Sequence, residues 1–396
     1  MSKSSGDGSS HGKRQRTRLI HAGRDPQDQY GFVNTPIYRG STVLYPSTEQ
    51  LHSRNQPYTY GRRGTPTLRA LETAVSELEG GEETVLAPSG LNAIACALLA
   101  FVKSGDHVLM TDSVYQPTRR ICDNMLARLG VATTYYDPCI GEGIEKLITD
   151  KTRVVYCESP GSQSLEMQDI PAIASAARKR GAMVMADNTW ATPLYCNPLG
   201  LGADVVIHAG TKYFCGHADA NLGTVTVRKE HAAALRVTHG DMGICAGPED
   251  TFLCLRGIRS LAVRLEQHRR SALEMARWLD ARDEVSRVLH PGLDQYPGHE
   301  IWKRDFTGSS GLFSVILKPA GSKAVAAMLD SLELFGMGFS WGGFESLAIP
   351  FDPSSYRTAT KWQAEGPAIR FHIGLEDTDD LKEDLDRGFA ALRKSG

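Results

Sequence analysis

The chain has 396 residues, 41% of them hydrophobic, and a net charge of −2 from 44 basic and 46 acidic side chains. That length allows two or three domains with substantial cores, and the near-balance of charge leaves no basic field for nucleic acid or an anionic membrane surface. Eight scattered cysteines show neither C-x-x-C pairs nor zinc-type spacing, and no apolar run approaches the ~18 residues needed to span a bilayer. These features predict a globular protein with reduced thiols in the cytosol.

Residues 1 to 18, MSKSSGDGSSHGKRQRTR, are rich in Ser, Gly and basic residues and hold no apolar segment, so they read as a flexible extension rather than a secretory leader. From residue 57 comes the turn-rich segment PYTYGRRGTP. Leu68, Leu71, Val75 and Leu78 then recur at helical spacing, and Gly80-Gly81 stops that helix. A series of short apolar runs follows: ETVLAP, DHVLMTD, ATTYYD, TRVVYCESP, AMVMADN, DVVIHAG and GTVTV. Helical patterns separate most of them, as in PAIASAARKRG, with Pro171 near the start and Gly181 just past the end. Strands apolar throughout and alternating with helices predict a mainly parallel seven-stranded sheet covered on both faces, an α/β architecture.

Beyond residue 228, Leu261, Leu265, His268, Ala272, Met275 and Leu279 predict one long helix. Two more strand patterns, GLFSVIL (311 to 317) and AIRFHIG (368 to 374), and an acidic helix at the tail predict a smaller α+β domain. The expected division is an extension at 1–18, an arm at 19–57, a large domain at 58–257 and a small one at 258–396.

In an open parallel sheet, ligands bind beyond the carboxyl ends of the strands, so the residues after each apolar run carry the information. After ETVLA comes Pro88-Ser89-Gly90-Leu91, opening a helix. It is either a plain turn or an anion site at a helix start. After DHVLM comes Tyr115, a packing residue or a surface for a flat ring. After AMVMA stands Asp187, a cap or a partner for a ring nitrogen. After VVIHAG come Thr211 and Lys212, where the lysine is a salt-bridge partner or an amine that bonds an aldehyde. Each residue is ambiguous alone. In this order they supply the protein-side parts for pyridoxal phosphate. His208, His217 and His372 lack metal-ligand spacing and read as structural or as residues that support the reacting groups from behind.

The motifs YGRRGTPT, ELEGGEETVLAPSG, DNTW, HAGTKYFCGHAD, SWGGFESL and IRFHIGLED resemble the Cys/Met-metabolism family of fold type I pyridoxal phosphate enzymes, from about Thr17 to about Leu392. Ser340-Trp341-Gly342-Gly343 and WKRDFTGSSGLFSVIL (302 to 317) are similar to its cystathionine β-lyase branch. The resemblance implies a carbon–sulfur lyase that opens L-cystathionine by α,β-elimination, as part of methionine biosynthesis. γ-Elimination, a broader cysteine-S-conjugate β-lyase, and a cofactor-binding regulator are the alternatives.

It also implies site roles. Lys212 bonds the cofactor aldehyde and moves protons, Asp187 pairs with the pyridine nitrogen, and Tyr115 stacks on the ring. Gly90, Leu91 and Thr211 hold the phosphate together with Tyr60 and Arg62. These last two come from a neighbouring subunit, so a dimer with shared active sites, commonly doubled to a tetramer, is expected. Tyr60 also faces the substrate. Arg370 clamps the substrate carboxylate beside Ser340 and Trp341. Ala209 departs from the serine that many relatives carry there, which removes one expected phosphate contact.

Overall fold

The computed structural model describes residues 12–395. Residues 1–11, most of the expected extension, lie outside the described residues, and from Gln15 the chain is already helical. Helix α1 (Gln15–His21) packs on the later helices, and α2 (Thr48–Ser53) lies in the arm. Helix α3 (Pro66–Glu79) starts where the hydroxyl of Thr65 accepts the Leu68 N–H, with Pro66 in the first turn, and ends at Gly80 in the left-handed region.

The seven apolar runs become β1 (Glu83–Ala87), β2 (His107–Thr111), β3 (Ala132–Tyr136), β4 (Thr152–Glu158), β5 (Met183–Asp187), β6 (Val205–Ala209) and β7 (Gly223–Val227). They form one sheet in the order β1-β7-β6-β5-β4-β2-β3, parallel except for β7, which runs antiparallel to both neighbours. Helices α4 (Gly90–Phe101), α5 (Gln116–Arg120), α6 (Ile170–Lys179), α7 (Thr192–Tyr195) and α8 (Ala232–Asp241) fill the connections, and α5 runs on into a π-helical stretch, Ile121–Leu126. Alternation of side chains places Val154 and Tyr156 in the core shared with α4, and Val155 and Cys157 in the core shared with α6. Burying each such side chain contributes about 1.5–3 kcal/mol, which is why strands covered on both faces are apolar throughout.

Helix α9 (Pro248–Asp280) is longer than its periodic part suggested. It passes so close to the segment after Lys212 that a Cβ at Gly257 would stand 2.2 Å from the Phe214 carbonyl oxygen. The expected domain junction, 257/258, falls inside this helix. Beyond it come β8 (Val285–Leu289), α10 (His299–Asp305), β9 (Leu312–Leu317), α11 (Ser322–Asp330), β10 (Leu347–Phe351), β11 (Ala368–His372) and α12 (Thr378–Ser395). The second sheet is antiparallel, in the order β10-β11-β9-β8. Its central strands were legible. The edge strands were not, because Pro350 and Arg287 interrupt their apolar pattern.

A buried carboxylate stitches the small unit onto the large one. Asp112, just past β2, accepts the backbone N–H groups of Thr358 (3.1 Å), Ala359 (3.1 Å) and Thr360 (2.8 Å), the Thr360 hydroxyl (2.9 Å) and the Arg119 guanidinium. Nearby, Arg357 pairs with Glu166 at 2.7 Å.

Candidate active site

The parallel strands β2, β4, β5 and β6 end along one edge of the sheet, and the small unit covers that edge. Lys212 stands three residues beyond β6, in a turn closed by its own N–H to the Ala209 carbonyl (3.0 Å) and by the Gly216 N–H to its carbonyl (2.7 Å). Its Nζ donates to the Ser340 hydroxyl at 2.7 Å and lies 5.4 Å from the centre of the Trp341 ring. Burial, and then the positive charge of Arg370, bring the amine down to about 8, against the opposing pull of Asp187. No carboxylate forms an ion pair with it among the described residues.

Register explains the acids. Strands β4 and β5 pair so that Glu158 lies directly beside Asp187, both at the strand ends. The Asp187 Oδ1 accepts the Thr189 N–H (2.9 Å) and the Thr189 hydroxyl (2.5 Å), whose oxygen in turn accepts the Ala209 N–H (2.9 Å). Its Oδ2 has no hydrogen-bond partner among the described residues. The Glu158 Oε2 accepts the Tyr115 N–H at 2.8 Å. Burial and the Asp187 charge push the Glu158 carboxyl far above the usual carboxylate range, against the pull of the Tyr115 N–H. Burial also raises Asp187, while Thr189, His208 and Lys212 oppose that rise and favour the ionised form. Tyr115, half-exposed at the start of α5, has its phenol raised by burial and by Glu158 and Asp187, with Arg370 opposing that rise. It therefore faces the same space.

At the start of α4 the Ser89 hydroxyl caps Asn92 (3.1 Å), leaving the N–H groups of Gly90 and Leu91 without partners among the described residues. Close approach requires glycine here. A Cβ on Gly90 would come within 2.6 Å of the Ala209 Cβ, and one on Gly223 within 2.3 Å of the Ser89 carbonyl oxygen. These two free donors therefore adjoin the strand end that leads to Lys212. The Thr211 hydroxyl accepts the Leu222 N–H (2.9 Å) and donates to the Leu222 carbonyl (3.2 Å), so a phosphate would compete for its proton.

From the small unit, β11 presents Arg370, a buried guanidinium whose Nη2 donates to the Ser340 carbonyl at 2.9 Å. Burial lowers it to about 10, and it has no carboxylate partner among the described residues. Ser340 thus touches both Lys212 and Arg370.

The structure brings together Lys212, Asp187, Tyr115, Ser340, Trp341 and Arg370, with Gly90 and Leu91 beside them. It does not bring in Tyr60 or Arg62. Tyr60 pairs with Thr42, Arg62 donates to the Gly240 carbonyl (2.9 Å), and neither bonds to the Lys212 cluster among the described residues. Glu158 and Thr189 belong to the site, but the sequence offered only their position after an apolar run.

A buried amine, a carboxylate with one oxygen free, two unpaired N–H groups and an aromatic face together fit pyridoxal phosphate: an aldehyde, a ring nitrogen, a phosphate and a flat ring. The same edge of the sheet would serve other chemistries, so relatives matter. The chain is 53% identical to a putative cystathionine beta-lyase of Rhizobium johnstonii, over 95% of this chain and 96% of that one. It is 44% identical to the cystathionine beta-lyase MetC of Escherichia coli, over 96% and 99%. The crystal structure of metB from Corynebacterium glutamicum superposes with a TM-score of 0.90 at 33% identity, covering 96% of this chain and 99% of that one. Residues 16–390 match the profile described as Cys/Met metabolism PLP-dependent enzyme. Fold, site chemistry and sequence agree: this chain belongs to the Cys/Met metabolism family of PLP-dependent enzymes.

Proposed function

We propose that the chain is a carbon–sulfur lyase that cleaves L-cystathionine between Cβ and sulfur, giving homocysteine, pyruvate and ammonia. The relatives named cystathionine beta-lyase support this reading. The observation that carries it is the path Lys212–Ser340–Arg370: a base of lowered basicity and an unpaired buried guanidinium held by one residue.

Pyridoxal phosphate, when bound, supplies an electron sink for the charge left at Cα. Asp187 would offer Oδ2 to the ring nitrogen and favour its protonated form. Glu158 holds the Tyr115 backbone in place by accepting its N–H. Gly90 and Leu91 direct N–H groups at the phosphate. Arg370 would grip the substrate carboxylate with its planar pair of donors and so fix how the substrate lies beside Lys212. Lys212 would take the α-proton at Nζ and hold it for the leaving sulfur. Trp341 and Ser340 wall the pocket on that side.

L-cystathionine and purified enzyme test the reading when the keto acid is identified. Pyruvate is expected, and 2-oxobutyrate would show γ-cleavage instead. Asp187→Asn is expected to bind cofactor but lose about 100-fold or more in kcat, because a neutral amide cannot stabilise a ring cation. A variant with wild-type kcat removes Asp187 from that role.

The reading extends to assembly and place. The arm carries exposed Tyr30, Phe32, Val33 and Leu44, which supports a homodimer in which Tyr60 and Arg62 complete the partner's site. Mixing refolded Lys212→Ala and Arg62→Ala chains, each nearly inactive, should restore about a quarter of wild-type activity, since each mixed dimer then holds one intact site. No recovery would mean that Arg62 serves its own chain. No helix among the described residues is long and apolar enough to cross a membrane, and all eight cysteines are free, which supports a cytosolic setting.

A further inference from the structure

Ser340 has φ +101°, a conformation that costs strain in any residue with a Cβ. Yet its hydroxyl takes the Lys212 donor and its carbonyl takes Arg370. Something must hold it there. Its own neighbours show how. Trp341 packs on Tyr213, the residue after Lys212, with ring centres 5.5 Å apart. Gly342, at φ +85°, lies so close to Lys212 that a Cβ on it would come 3.1 Å from the Cα and the Cβ of that lysine. The Gly342 N–H donates to Nε2 of His372 at 3.1 Å, and that nitrogen also lies 3.1 Å from the Gly343 carbonyl.

His372 is fully buried on β11, two residues after Arg370, so the two side chains share one face of the strand. Its ring leans on Tyr213 (6.2 Å) and His268 (5.3 Å), and a Cβ on Gly311 would touch its edge at 3.2 Å. The ring therefore has little freedom. Burial and the neighbouring His268 bring it down to about 3, so the ring stays neutral; with its proton on Nδ1, which has no hydrogen-bond partner among the described residues, Nε2 is the accepting nitrogen and takes the Gly342 N–H rather than bonding the Gly343 carbonyl. Because Nε2 accepts from Gly342, the strand that carries the carboxylate clamp also fixes the turn that carries Ser340.

We propose that His372 is a positioning residue: by accepting the Gly342 N–H it locks Ser340 in its strained form, aligning Lys212 and Arg370 in one step. The proposal rests on Arg370 as the carboxylate clamp and not on which thioether is cleaved. Glycine, an unreactive probe with the same carboxylate, therefore tests it in the holoenzyme, its affinity read from the change in cofactor absorbance.

His372→Phe keeps a flat ring and removes the acceptor. It is expected to retain cofactor but bind glycine about 10-fold more weakly. His372→Gln, which can offer an oxygen near the Nε2 position, should return to within about threefold of wild type. Equal weakening in both variants, or wild-type binding by His372→Phe, overturns the proposal. Should His372→Phe fail to fold, amide exchange of the wild-type enzyme decides. The Gly342 N–H should be strongly protected, and exchange at the rate of an open loop amide overturns the assignment.

Discussion

Lys212→Met should abolish turnover and at the same time make the cofactor-free chain more stable. The first effect follows from losing the amine proposed to bond the cofactor and move the α-proton, a loss of about 10⁴-fold or more. The second follows from linkage. In the folded chain the amine is brought down to about 8 by burial and Arg370, whereas an unfolded lysine titrates normally. The unfolded chain therefore holds the proton more tightly, and at neutral pH the charged amine costs the fold about 3 kcal/mol. Methionine fills the same space without that cost.

Denaturant unfolding of the two apo proteins at pH 7 checks the claim. Wild-type stability should also gain on the variant as pH rises from about 8 towards about 10, where the unfolded lysine loses its proton too. If both unfold at the same denaturant concentration at pH 7, the amine is solvated and its assigned role loses its physical basis.

Arg370→Gln should lower kcat/KM by about 10² to 10³, the cost of leaving a substrate carboxylate without its partner in a buried site. Arg370→Lys restores the charge but not the two-pronged geometry, and should recover only part of the loss. A second effect separates this role from plain packing. Arg370 is, after burial, the next cause of the depressed lysine. The rate at which the apo chain captures pyridoxal phosphate should therefore level off above about 8 in wild type, at clearly higher pH in Arg370→Gln, and near wild type in Arg370→Lys. Unchanged capture profiles in all three would place the guanidinium too far away to act on Nζ.

Much of this site could be read without coordinates because its chemistry sits at strand ends. Apolar runs marked β1 to β7 plainly, since a strand buried on both faces has little room for polar residues. The residues just past those runs, Tyr115, Asp187 and Lys212, were thereby singled out. What stayed hidden depends on register or on contacts between distant segments. That Glu158 lies against Asp187 is a fact of strand pairing. The carboxylate of Asp112, with donors from Thr358 to Thr360, joins segments some 246 residues apart. The tension at Ser340 and the imidazole that holds it exist only once β11 lies beside the Lys212 turn. His372, read as structural or as a support behind the reacting groups, showed nothing in sequence of which residues it would hold. Tyr60 and Arg62 show the opposite limit, since the role assigned to them needs a second chain.

Helix α9 has one more implication. A single unbroken rod of 33 residues runs from beneath the Lys212 turn to the second sheet, and at Gly257 the two backbones leave no space for a side chain. A hinge between the halves of this molecule would have to bend that rod or prise the contact open. Changes of selectivity thus fall to the exposed side chains that flank the Ser340 turn, Met337 and Phe339, while the turn itself and the frame stay fixed. Altering those two side chains leaves the underlying architecture undisturbed.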